Sequence, residues 1–181
     1  PGFRSRPDLS RGAYEAHELV WSRYSIESLF LDVACLTAWL LAVLPAGTVP
    51  EATLRPLVDA ALKHADGDLD LLLAAIWRMS VSLMRKDELK LDDAQKAAEA
   101  KVRAEPDIWQ HGRDRARHVL GGVRAALPDN ATRNPVRTGL LDLVRAAAVD
   151  KLGDPLVLIP AEIRSLLDYM ASPAVGAPAR P

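Results

Sequence analysis

The chain lacks most of the features that announce a chemistry. It carries one cysteine, Cys35, in 181 residues, which excludes an intramolecular disulfide framework and a cysteine-ligated zinc finger. Charge of one sign is missing too: 23 basic and 24 acidic side chains leave a net charge of -1. A protein that coats nucleic acid or an anionic membrane with its whole surface is therefore not expected. The longest apolar run, Leu29 to Leu44, falls short of the ~20 residues a spanning helix needs and contains Asp32. The first residues, Pro1 to Pro7, lack the apolar centre of a secretory leader. A soluble, cytoplasmic protein without membrane attachment is the expectation.

Familiar catalytic signatures are absent as well. There is no phosphate-cradling glycine loop, no G-x-S-x-G and no His-Glu-x-x-His. Asp66, Asp68 and Asp70 imitate the opening of a calcium loop, but Leu71 stands where its glycine belongs and Trp77 where its last carboxylate belongs. Asp92-Asp93 is a lone acidic pair, read as charge at a helix N-terminus. No stretch alternates with period two, and neither an internal repeat nor a sustained heptad is visible.

What is present is helical periodicity, in a chain 49% hydrophobic and 26% charged. The pattern predicts an all-α fold, a single compact domain of about seven helices over residues 8–170, with flexible tails at 1–7 and 171–181. The first helix is expected over 8–24, after Asp8 or Ser10. A second, capped by Ser25, is expected to run from Ile26 to Leu44 and to lie centrally, because it is apolar on all sides. A third opens at Pro50 and reaches about His64, with Pro56 kinking it or delaying its start. Ala65-Asp66-Gly67 reads as a turn and Asp68 as the N-cap of a fourth helix, carrying Leu69, Leu72, Leu73, Ile76 and Leu83. That fourth helix is the second element expected at the centre. A polar, alanine-rich helix follows over 87–104, then one from Asp107 to Leu127 that Gly121-Gly122 could interrupt. Another begins at Asn134-Pro135 after a turn at Pro128-Asp129-Asn130. Leu156 to Ile159 reads as extended, and Pro160 to Met170 as a last short helix.

Three groups of residues carry functional expectations. The leading one is basic: between Arg113 and Arg137 stand six arginines against Asp114 and Asp129. Arg113, Arg117 and Arg124 share one side of a helix, while Arg133 and Arg137 flank the start of the next. Arginine forks match carboxylates and phosphates, and the helix N-terminus at Asn134 would add donors. The surface is expected to dock an acidic protein or a nucleic acid, making the chain a non-enzymatic interaction protein. Against nucleic acid stand the long connection between the two helices and the shortage of nearby aromatics.

The first alternative is a metal site for zinc, iron or manganese. Asp107, His111, Asp114 and His118 follow at spacings that put them on one face of a continuous helix. Since one face does not converge on a single ion, neighbouring His111 and Asp114, or Asp114 and His118, supply half a site. Glu15, His17 and Glu18 of the first helix are candidates for the rest. The second alternative is a small-ligand pocket walled by Tyr14, His17, Trp21 and Tyr24. Cys35, without a base beside it, reads as a small buried hydrophobe, and His64 as a favourable charge at a helix C-terminus. The helix at 26–44 is apolar enough to fill a core or to pair two copies in a homodimer.

Overall fold

The computed structural model describes residues 26–150 and Ile163. The helix expected over 8–24 with its Tyr14, His17, Trp21 and Tyr24 face, the segment 156–170 apart from Ile163, and both tails lie outside the described residues. Within them the all-α reading holds: nine helices and no strand. They are α1 (Ile26–Leu29), α2 (Val33–Val43), α3 (Glu51–Gly67), α4 (Leu69–Lys86), α5 (Leu91–Ala104), α6 (Pro106–Trp109), α7 (Gly112–Ala126), α8 (Asn130–Arg133) and α9 (Leu140–Asp150).

The helix expected from Ile26 to Leu44 is two helices. Asp32 breaks it: its backbone is extended, and its Oδ1 accepts from the N–H groups of Ala34 at 2.8 Å and Cys35 at 2.9 Å. A short carboxylate satisfies the orphan donors of a helix start better than it serves inside a helix, so the chain restarts here. The remaining apolar helix, α2, keeps the central position foreseen for it, with Leu36 and Leu40 fully buried. No helix among the described residues is long and apolar enough to cross a membrane.

Pro56 neither ends α3 nor delays it, since the helix begins at Glu51 and continues past it. The proline leaves only the Ala52 carbonyl without a partner, and both residues lie on the exposed side of the helix, where water can take that carbonyl. The turn expected at Ala65-Asp66-Gly67 is instead the last turn of α3. Reversal is compressed into Asp68, whose Oδ1 accepts from Leu71 N–H at 3.0 Å and caps α4 as foreseen.

Helix α4 departs furthest from expectation. It is not central: Leu69, Leu73 and Trp77 are 60%, 51% and 59% exposed. It packs chiefly on α5, burying Leu72, Ala75 and Met79 against Ala98 and Val102. Helix α5 presents only small side chains at Ala94, Ala98 and Val102, so the contact is close but narrow and covers one stripe of a broadly apolar helix. Residues Asp87 to Lys90, expected to be helical, form the connection, and Glu88 takes the left-handed conformation at φ 53° that reverses it.

The main core lies between α2, α3, α7 and α9. It joins Leu36 and Leu40 to Leu54 and Val58, to Val119, Leu120 and Val123, and to Leu143. Each fully buried aliphatic side chain there contributes ~1.5–3 kcal/mol. The expected helix from Asp107 to Leu127 is also divided, at Gln110-His111, whereas α7 runs unbroken through Gly121-Gly122. Gln110 is fully buried and its Nε2 donates to the Ala65 carbonyl at 2.9 Å, which ties the break to the end of α3. At the other end Asp129 and Thr132 form a capping box that turns the expected Pro128-Asp129-Asn130 bend into α8. No helix starts at Asn134-Pro135. Helix α9 begins at Leu140, where the Gly139 carbonyl accepts from Leu143 N–H at 3.0 Å.

Candidate functional site

The arginines expected to act together are sorted by the fold into three situations. Arg113, Arg117 and Arg124 share the outer side of α7 and are exposed. Arg133 is turned onto backbone: its Nε donates to the Leu127 carbonyl at 2.7 Å and its Nη2 to the Ala125 carbonyl at 3.4 Å. It closes the C-terminal end of α7, where a cation is favoured. Arg137 is exposed in the connection before α9, and the helix N-terminus expected beside it is not there. Arg115 points inward, 2% exposed, with its Nη2 2.6 Å from Asp66 Oδ1.

Arg113 and Arg117 stand one helical turn apart on the wall of a cleft of about 470 Å³. Its floor is apolar, built from Phe30, Leu140, Leu141 and Val144, and Glu27 and Asp142 stand in its lining. Three elements make it: α1 and the Phe30 that follows it, α7, and the first turn of α9. Leu141 is 61% exposed, an uncovered leucine in the lining. Phe30 is held by Trp39, their ring centroids 5.5 Å apart. Neither arginine is paired with a carboxylate among the described residues. The volume falls within the range of small-ligand and side-chain pockets. The cleft offers two positive charges on the α7 side and two carboxylates, Glu27 and Asp142, around an apolar surface.

Of the residues expected to hold a metal, His111 and Asp114 stay together, while Asp107 and His118 part from them. The break at Gln110-His111 removes Asp107 from the helix that carries the others. His111 caps α7, with Nδ1 3.4 Å from Asp114 Oδ2, and that same carboxylate oxygen lies 3.6 Å from Arg78 Nη1. His118 turns the other way, toward α3. There its Nε2 is 2.9 Å from His64 Nδ1, and its Nδ1 is 3.6 Å from Asp68 Oδ2. Among the described residues, the group that brings three potential ligand atoms together is His64, Asp68 and His118. Glu15, His17 and Glu18 lie outside the described residues.

From the sequence His64 reads only as a helix-end charge, because its partner stands 54 residues away. The spacing of His64 and Asp68 was the available signal, and the packing of α3 on α7 supplies the third member. Half of the cleft is legible in the sequence, in its clustered arginines; Phe30 and Leu141 carry no local signal that places them beside those arginines. Cys35 is buried, as foreseen.

Comparison with protein-family models, with curated proteins and with solved structures finds no match to this chain in any of the three.

Proposed function

We propose that this helical domain is a non-enzymatic binding module that docks an acidic, amphipathic segment of a partner protein in the cleft between α1, α7 and α9. The carrying observation is the pair of exposed arginines, Arg113 and Arg117, without an ion-pair partner among the described residues and standing one turn apart beside an apolar floor. Guanidinium forks a turn apart suit carboxylates at matching spacing, and Phe30 and Leu141 suit an aliphatic side chain between them. Nucleic acid fits the same lining less well. Glu27 and Asp142 disfavour any ligand that is negative along its whole length, so the fit is to a segment whose carboxylates stand only opposite Arg113 and Arg117, and the lining offers one aromatic ring for stacking.

The test is fluorescence anisotropy with a dye-labelled peptide of Glu-Glu-Leu-Leu repeats, a Lys-Lys-Leu-Leu control and a single-stranded oligonucleotide. Saturable binding of the acidic peptide alone is expected, weakening with added salt. The Arg113→Glu/Arg117→Glu variant is expected to bind at least ~10-fold more weakly, since each charge-assisted contact carries a kcal/mol or more. Preference for the oligonucleotide, or indifference to the double substitution, overturns the proposal.

A further inference from the structure

A second site lies where the C-terminal end of α3, the start of α4 and the middle of α7 meet. Two of the four histidines in the chain come together there. Their rings are 17° from parallel, with centroids 5.1 Å apart and the facing nitrogens 2.9 Å apart. A contact of that length requires one ring N–H to point at the lone pair of the other ring. The two nitrogens therefore already face one point. Two imidazole nitrogens bound at about 2.0–2.1 Å to one tetrahedral ion sit about 3.3 Å apart, so an ion replaces the shared proton once the nitrogens open by a few tenths of an ångström and the rings tilt off their common line.

Asp68 completes the arrangement from behind. Its two carboxylate oxygens do different work: Oδ1 caps α4, while Oδ2 stands 3.6 Å from Nδ1 of His118, the nitrogen turned away from His64, at ion-pair distance and a short step from a hydrogen bond. A carboxylate on the far nitrogen of a histidine sets the tautomer and raises the basicity of the nitrogen that meets the metal. The cap holds that carboxylate in place without help from an ion. The last turn of α3 beneath is tied to α7 and to the residue pair before it, through Gln110 to the Ala65 carbonyl and Arg115 to the Asp66 carboxylate. The histidines thus project from two elements that are already locked together.

From this we infer that His64 Nδ1 and His118 Nε2 are the protein ligands of a surface site for a divalent late transition metal of the zinc class, with Asp68 as the residue that positions His118. Paired imidazoles select zinc, copper or nickel over magnesium or calcium. His64 is exposed and His118 and Asp68 are partly so, which leaves the other coordination positions to water or to a group from outside. Such a site exchanges its ion, unlike the closed four-ligand sites that hold small domains together. It is independent of the arginine cleft and stands or falls separately.

The experiment is calorimetric titration of the full chain with zinc chloride, paralleled by the visible absorption of added cobalt chloride. It uses the unaltered protein and the variants His64→Ala, His118→Ala, Asp68→Asn and His111→Ala. One zinc per chain is expected, with binding lost in His64→Ala and His118→Ala and unchanged in His111→Ala. Asparagine caps a helix nearly as well as aspartate, so Asp68→Asn keeps α4 while removing the charge. It is expected to weaken binding by ~10–100-fold, the usual effect of losing such a partner. Helical circular dichroism without metal verifies that each variant is folded. Absence of saturable zinc binding, or retention of it in His64→Ala, overturns the site. Loss in His111→Ala moves the ligands to the face of α7 and overturns it equally. Complete loss in Asp68→Asn makes Asp68 a ligand and overturns its positioning role.

Discussion

Single side chains show where polar groups organise this fold. Arg115 is nearly inaccessible, yet its counter-charge, Asp66, is about one-third exposed. Removing Asp66 leaves a guanidinium in the interior without compensation, the costlier half of breaking a buried pair. Asp66→Ala is expected to lower unfolding stability by roughly 2–3 kcal/mol, below the full range for a wholly buried pair because water reaches the carboxylate. Denaturant melts of the two proteins measure it, and a loss under ~0.5 kcal/mol contradicts the argument.

Asp129 makes a different case. The Thr132 N–H donates to its carboxylate at 2.8 Å, and the Thr132 hydroxyl lies 3.0 Å from the same oxygen. These bonds favour the ionised form and hold the Asp129 pKa below its usual value. A lowered folded-state pKa means the stabilisation is whole above the unfolded-state pKa. It is lost as pH falls through the lower, folded value. Protection of the Thr132 amide from hydrogen exchange, corrected for intrinsic rate, should therefore decline in that acid window. In Asp129→Asn the decline should be absent, since the amide oxygen still accepts but no longer titrates.

At the scale of elements, burial and hydrophobicity part company. Leu40 of α2 is fully buried in the main core, whereas Trp77 of α4 is 59% exposed. Leu40→Ala is expected to cost about 2–5 kcal/mol, and Trp77→Ala under about 1 kcal/mol, although tryptophan is the larger apolar group. Comparing their denaturant midpoints tests the assignment of α2, and not α4, to the centre. Both helices read as apolar stripes in the sequence. Which one is covered depends on neighbours: α2 has α3 and α9 against it, while α4 has chiefly the narrow, alanine-lined α5.

At the scale of the described fold, α7 is the element on which the proposed cleft and the proposed metal site both draw. One side enters the core through Val119, Leu120 and Val123, another carries Arg113 and Arg117 into the cleft, and a third brings His118 to α3. A helix can serve three neighbours because its residues radiate at about 100° steps. The cleft and the histidine pair therefore share a scaffold but no side chains, and Arg113→Glu/Arg117→Glu should leave zinc titration unchanged. His64→Ala should likewise leave peptide anisotropy unchanged.

Local chemistry in the sequence alone determined the all-helical class, the cap at Asp68, the opening of α3 after Pro50, the burial of Cys35 and the clustering of arginines on one side of α7. Periodicity, capping preference and proline geometry act over a few residues and need no knowledge of the fold. The breaks at Asp32 and Gln110 were harder to read, because a residue that is tolerable in a helix becomes a break when a competing hydrogen bond is at hand. For Gln110 that bond goes to Ala65, 45 residues away. Only the tertiary structure decided which apolar helix is central, that Arg133 closes α7 instead of facing outward, and that His118 meets His64 and not His111. These outcomes depend on how distant helices cross, and the spacing of side chains along one helix carries no information about what another will place opposite them.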